Sequence, residues 1–140
     1  MFNELISQSE SPVFFTGAGI STNSGIPDFR GPKGIWKTVQ PIYFQEFVNS
    51  EEKRIESWER KFSNELNINK AKPNQGHQKI AEIMKKKDFS HLITQNVDNL
   101  HQESGVNEDQ ITELHGNATY AKCLDCQLRY DLGELKELFL

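Results

Sequence analysis

The sequence predicts an α/β fold built on a parallel sheet, and three observations carry that prediction. A short apolar run, Ser11-Pro12-Val13-Phe14-Phe15-Thr16, reads as a buried strand and ends at Gly17-Ala18-Gly19. Helical periodicity then dominates residues 41–87. A second apolar run, Phe89-Ser90-His91-Leu92-Ile93-Thr94, follows. Strand, helices and strand in that order imply a parallel pair joined by a right-handed helical crossover.

Phe2, Leu5 and Ile6 fall at helical spacing, so the first ten residues are expected to form a short helix packed on the sheet. After the glycine turn, Ser21 to Ser24 can open a helix. Gly31-Pro32-Lys33-Gly34 breaks regular structure, and an irregular stretch as long as Pro27 to Gln40 is more often functional than idle. Phe44, Phe47, Val48, Ile55, Trp58, Phe62 and Leu66 recur at three and four residues and predict two amphipathic helices whose aromatics serve packing. Ala71 to Gly76 marks a turn. His77 to Lys87 then reads as a helix with Ile80, Ala81, Ile83 and Met84 inward and lysines at the negative end of its dipole. Gly105 ends a further helix, and Ile111-Thr112-Glu113-Leu114 reads as a third strand that delivers His115. Strand-like pieces surround Cys123-Leu124-Asp125-Cys126, and Leu132 to Leu140 is helical in period.

Composition narrows the function. The 140 residues suit one modest domain, with 16 Lys and Arg against 20 Asp and Glu, a net charge of -4. No dense basic patch with interleaved aromatics is present, which argues against direct nucleic-acid binding. Met1-Phe2-Asn3-Glu4-Leu5-Ile6 carries an acid and opens no long apolar run, so neither a signal peptide nor a membrane span is expected, and a cytoplasmic location follows. Cys123 and Cys126 form a single Cys-x-x-Cys, which in a reducing compartment points to metal or redox chemistry before a structural disulfide. A thioredoxin-like role fits poorly, because the pair lies late in the chain instead of following an early strand and opening a helix.

The candidate site lies where the strands end. Backbone without Cβ atoms at Gly17 and Gly19 can approach a phosphate and aim N–H groups at it. Asp28-Phe29-Arg30 places an anion, a flat apolar ring and a fixed cation side by side. In an open α/β sheet, Gln95-Asn96-Val97-Asp98-Asn99 should share the carboxyl edge with the glycine turn, where ligands bind. The usual dinucleotide fingerprint wants a third glycine where Thr22 stands and an acid about twenty residues on. Ile35 to Gln40 offers no acid, so a plain dehydrogenase-type unit is disfavoured. His115 ends a strand at this edge, and histidine is the side chain whose ordinary titration suits proton transfer near neutrality.

Gly-Ala-Gly-Ile-Ser at 17–21, Ser-Gly-Ile-Pro-Asp-Phe-Arg-Gly at 24–31, Thr-Gln-Asn-Val-Asp-Asn-Leu-His at 94–101, Glu-Leu-His-Gly at 113–116 and Cys123-x-x-Cys126 resemble, in order and rough spacing, the motifs of the sirtuins, NAD-dependent protein lysine deacylases. Pro73-Asn74-x-x-His77 is similar too, and the likeness spans Phe2 to about Tyr130. The resemblance implies an incomplete Rossmann-like parallel sheet with a helical insertion, an NAD-binding region over 1–117 with helices within 41–87, and the start of a zinc-ribbon module over 118–140. It implies that Gly17, Ala18 and Gly19 cradle the NAD phosphates, that Asp28, Phe29 and Arg30 sit on the cofactor loop with Ile26 and Trp36 also at the cofactor, and that Gln95, Asn96, Val97 and Asp98 hold ribose and nicotinamide. Among these, Asn96 and Asp98 are also implied in catalysis, with His115 as general base.

In the family's chemistry the acyl-lysine carbonyl oxygen attacks the ribose carbon as nicotinamide leaves, and the products are nicotinamide, free lysine and acyl-ADP-ribose. The implied partners are acyl-lysine proteins or peptides. The family's zinc site takes four cysteines, whereas Cys123 and Cys126 supply two. The sequence thus resembles the N-terminal portion of a sirtuin, and a sheet short of strands is expected to expose an apolar edge and self-associate. A Tyr-x-x-Arg pair selects negatively charged acyl groups in some members; Trp58-Glu59-Arg60-Lys61 is the nearest local counterpart, with Trp58 assigned to packing. Alternative readings are a non-catalytic NAD or ADP-ribose binding module, or ADP-ribosyl transfer or NAD hydrolysis at the same site.

Overall fold

The computed structural model describes residues 2–32, 34–63 and 70–139. A three-stranded parallel sheet organises them: β1 (Val13–Thr16), β2 (His91–Thr94) and β3 (Ile111–Glu113), in the order β1-β2-β3. Phe14 pairs with Leu92, and Leu92 with Ile111, so one sheet face carries a continuous apolar row. The helix α4 (Gln75–Met84) covers that row: Ala81, Met84, Leu92 and Val106 form the buried core, with Phe14, Ile80 and Ile111 packed against it. The crossover from β1 to β2 is the predicted helical one.

On the other face β1 is open among the described residues, since Val13 and Phe15 are each 62% exposed, while their partners His91 and Ile93 on β2 are partly buried. This corrects the expectation of a strand buried throughout. β1 buries the Phe14 side of its pleat and leaves the opposite side bare, and parallel strands normally need cover on both faces. The strands are also shorter than the apolar runs: Ser11 and Pro12 precede β1, and Phe89, 79% exposed, precedes β2.

The first helix, α1 (Phe2–Gln8), forms as expected, but Leu5 is 63% exposed and does not pack on the sheet. Its carboxyl end is tied instead to the region after α4, where Lys87 Nζ donates to Ser7 O at 3.0 Å. The helical segment contains α2 (Phe44–Asn49) and α3 (Glu51–Phe62). Ser50 Oγ caps α3 by accepting the Lys53 N–H at 3.3 Å, and Glu51, Glu52, Arg60 and Lys61 complement its dipole. Arg54 Nη1 donates to Phe47 O and Val48 O, binding the end of α2. Phe44 and Ile55 remain exposed, at 61% and 44%, so the apolar stripe of this pair is only partly buried. Leu66 lies outside the described residues.

After α5 (Leu100–Glu103) and β3, the antiparallel strands β4 (Tyr120–Lys122) and β5 (Arg129–Asp131) form a hairpin around the cysteines, and α6 (Leu132–Phe139) follows. Trp58 stacks on Phe62 at 5.5 Å between ring centroids, and Phe62 meets Phe139 at 5.6 Å, so α6 lands on α3.

Candidate functional site

Directly after β1 the chain winds into a 3-10 turn, Ala18–Ser24, that closes on Gly25 with φ +86°. The turn buries Ser21, whose hydroxyl donates to Asp98 Oδ2 at 2.6 Å. Asn96 Nδ2 donates to Ser21 Oγ at 3.2 Å and to Gly17 O at 3.1 Å. The two polar segments expected to share a crevice are thus joined by side-chain hydrogen bonds. Asp98 Oδ1 also accepts the Leu100 N–H at 3.0 Å, which opens α5 after Asn99 has taken a left-handed φ of +66°.

Two buried histidines stand behind this layer. His77 Nδ1 accepts the Asn74 N–H at 3.3 Å, leaving Nε2 protonated and 3.4 Å from Ser21 Oγ. His101 Nε2 lies 2.9 Å from Thr16 Oγ1, whose hydroxyl donates to Thr94 Oγ1 at 2.9 Å; that order puts the His101 proton on Nε2. His101 Nδ1 is buried without a hydrogen-bond partner. The rings meet edge to face at 4.9 Å. Burial pushes His77 below its ordinary range against the pull of Asp98. Burial first, then His77, pushes His101 down to about 4. Both are therefore neutral at neutral pH.

Sequence reasoning overlooked this network. One signal was available: His77, Ala81 and Met84 fall at helical spacing on the buried face of α4, so a polar group there needed a partner. Thr16, Thr94 and His101 gave no such signal, because their pairing depends on the register of β1 against β2.

In front of the network lies a cleft of about 460 Å³ lined by Ala18, Asp28, Phe29, Arg30, Gly31, Trp36, Gln95, Asn96, Val97 and His115. Nine of these ten were expected at the site from the sequence; Gly31 was not. Gly17 adjoins the cleft through Asn96, whereas Gly19, Ile26 and Asp98 do not line it; Ile26 is 5% exposed and Asp98 6%. The stretch from Pro27 to Gln40 is less irregular than expected. Ile35–Lys37 forms a 3-10 turn, and backbone bonds run from Ile35 N to Asp28 O and from Trp36 N to Phe29 O, each 3.1 Å. Gly34 permits this closure, since a Cβ there would stand 2.5 Å from Phe29 O. The fold-back brings Phe29 and Trp36 together at 5.5 Å, with the Arg30 guanidinium 4.8 Å from the Trp36 ring centre.

His115 stands between this cleft and a larger polar cavity of about 700 Å³ on its other side. Its Nδ1 lies 3.1 Å from Gln95 O. A carbonyl only accepts, so Nδ1 carries the proton and Nε2 is left as the basic nitrogen. Leu114 N donates to Thr94 O at 2.9 Å and Ala118 N to Val97 O at 2.7 Å, so the histidine turn runs pinned alongside the 95–98 loop.

The lining suits a nicotinamide dinucleotide: two aromatic rings, a fixed guanidinium, side-chain amides and one imidazole base. For zinc the donor set among the described residues is incomplete. Among the described residues no group of three or more His, Cys, Asp or Glu could hold a metal ion. Cys123 and Cys126 are free thiols, and backbone N–H groups of Cys126 and Asp125 hold the Cys123 thiol below its ordinary range. Two thiolates do not make a closed tetrahedral site. No helix among the described residues is long and apolar enough to cross a membrane.

Residues 17–139 match the Sir2 family. The chain is 49% identical over 136 residues to an NAD-dependent protein deacetylase of Rhodopseudomonas palustris, covering 97% of this chain and 54% of that protein. It is 44% identical over 135 residues to an NAD-dependent protein deacetylase of Thermodesulfovibrio yellowstonii, covering 96% and 52%. A Sir2 variant with a deacetylated p53 peptide and 3'-O-acetyl ADP-ribose aligns with TM-score 0.81 and 37% identity, over 98% of this chain and 55% of that one. Sir2 with a p53 peptide and NAD+ aligns with TM-score 0.77 and 36% identity, over 98% and 54%. The chain spans about half the length of the curated relatives it matches.

Proposed function

The chain belongs to the Sir2 family, and from that premise we propose that it carries the NAD-binding and general-base centre of an NAD-dependent protein lysine deacylase acting on acyl-lysine proteins or peptides in the cytoplasm. One observation carries the reading: Phe29, Arg30, Trp36, Gln95, Asn96 and His115 converge on one cleft at the carboxyl edge of the sheet. Residues 1–117 form the NAD-binding region in this proposal, and residues 118–140 a module packed beside it.

NAD in the cleft would supply a glycosidic bond: nicotinamide would leave as the acyl-lysine carbonyl oxygen takes its place on the ribose carbon, and one water would later release the lysine amine, giving acyl-ADP-ribose. Arg30 and the backbone of Gly17, Ala18 and Gly19 bind phosphate. Phe29 and Trp36 exclude water, which cleavage through an oxocarbenium-like state requires. Gln95, Asn96 and Val97 orient ribose and nicotinamide. Asp98, whose carboxylate is bound by Ser21 and the Leu100 N–H, acts by fixing that loop. His115 takes a ribose hydroxyl proton at Nε2, the tautomer being set by Gln95 O. Cys123 and Cys126 supply two thiolate donors for zinc in this proposal and take no part in the reaction. The bare face of β1 supports self-association of the chain.

The test is a mass-resolved assay with acetyl-lysine and succinyl-lysine peptides and NAD. Nicotinamide and acyl-ADP-ribose in equal amounts support the proposal. ADP-ribose on protein or free in solution would reassign the site to transfer or hydrolysis, and NAD binding without product would make it a binding module.

A further inference from the structure

The turn that presents His115 is held by a carboxylate that the proposed chemistry does not use. Glu113, the last residue of β3, gathers side chains from three separate elements. Its Oε1 accepts from Gln102 Nε2 on α5 at 2.7 Å and from Asn117 Nδ2 at 2.6 Å. Its Oε2 accepts from the Tyr120 hydroxyl on β4 at 3.4 Å. Glu113 and Asn117 thus clasp each other across His115, on either side of a turn that Gly116 makes with φ +75°.

Asn117 is fully engaged. Its Nδ2 also donates to Asn99 Oδ1 at 2.9 Å, and its Oδ1 accepts from Thr119 N and Thr119 Oγ1 at 2.9 and 2.7 Å. The clasp therefore ties the far side of the histidine turn to the 95–99 loop, while the Leu114 and Ala118 backbone bonds tie the near side. Three donors meet the two oxygens of Glu113, and truncating the side chain at Cβ leaves all three without their acceptor; a carboxamide is a poor probe, since its oxygen accepts from both Gln102 and Asn117 and its NH2 donates to the Tyr120 hydroxyl. Burial and then the Glu113 charge hold the Tyr120 phenol above its ordinary range, so it remains a donor. Arg129 lies 4.2 Å from the Tyr120 ring centre and fixes that ring from its outer face.

We propose that Glu113 is a positioning residue: through Asn117 it holds the His115 ring in register with Gln95 O, so that Nδ1 keeps the proton and Nε2 remains the base. The inference rests on the reading of His115 as the base, and its test is built to fail separately from that reading.

The experiment is 15N NMR of the His115 imidazole in the full chain, for wild type, Glu113→Ala and Asn117→Ala, alongside deacylation kinetics. In wild type a single Nδ1–H tautomer is expected, and in each variant a mixture of tautomers. In deacylation, kcat should fall about 10- to 100-fold, as for a misplaced catalytic group, with KM for NAD within about twofold because Phe29, Arg30, Trp36 and Gln95 to Val97 are left unaltered. The double variant should be no worse than the worse single, because both break one clasp. An unchanged imidazole spectrum in either folded variant overturns the inference. Should Glu113→Ala fail to fold, Asn117→Ala decides alone, since it leaves the carboxylate with Gln102 and Tyr120. If the spectra shift as expected but His115→Ala keeps full turnover, the reading of His115 as base fails while the positioning stands.

Discussion

Asn96 Nδ2 lies 3.1 Å from Gly17 O, a bond between the loop after β2 and the glycine turn after β1, 79 positions apart in the chain. The same nitrogen reaches Ser21 Oγ. One carboxamide therefore sets the spacing of the two loops that border the cleft. Asn96→Ala removes both bonds and leaves a carbonyl and a hydroxyl short of a donor. We expect a loss of about 1–3 kcal/mol in urea unfolding and an NAD affinity at least about tenfold lower, since the lining of the cleft separates. Calorimetric titration of NAD with the variant checks this; wild-type affinity would refute it.

The neutral histidine pair predicts a pH dependence of stability. His77 and His101 both titrate lower in the folded chain than in the unfolded one, His101 near 4. Between those folded values and the ordinary histidine range the unfolded chain binds more protons, so stability rises with pH across that window. It is fully present above about pH 6.5 and is lost as pH falls toward 4. Glu82, held at about 2 by Lys79 and Lys86, acts in the same direction only below the carboxylate range. Urea midpoints at pH 7, 6 and 5 should therefore fall steadily. His101→Gln, which keeps a donor for Thr16, should flatten the slope; an equally steep slope in that variant would remove His101 from the explanation.

Val13 and Phe15 give a prediction about association. Both project from the uncovered face of β1. Sedimentation of the isolated chain should show mass rising with concentration, and Val13→Lys with Phe15→Lys should leave a monomer without changing the far-UV spectrum. A wild-type chain that stays monomeric at high concentration would contradict self-association through β1.

Legibility differed between the sheet and the site for physical reasons. The parallel pairing of β1 with β2 followed from apolar runs separated by helical periodicity, and His115 could be placed because a strand ended just before it. The clustering of Ala18, Phe29, Arg30 and Gln95 to Val97 followed from the rule that loops at one sheet edge converge. What could not be read was pairing at a distance. Ser21 with Asp98, Thr16 with His101 and Glu113 with Asn117 are single side chains whose meeting depends on register and turn geometry. The bare face of β1 was equally hidden, because Val13-Phe14-Phe15 is apolar on both faces of its pleat and only the placement of α4 decides which is covered.

The role of His115 is tested by comparing wild type with His115→Ala, measuring NAD affinity and acyl-ADP-ribose together by calorimetry and mass spectrometry. NAD affinity should stay within about threefold of wild type, because the remaining lining is intact, and acyl-ADP-ribose should be formed by wild type and absent in the variant. Full product formation by His115→Ala, or no binding of NAD by wild type, would contradict this reading.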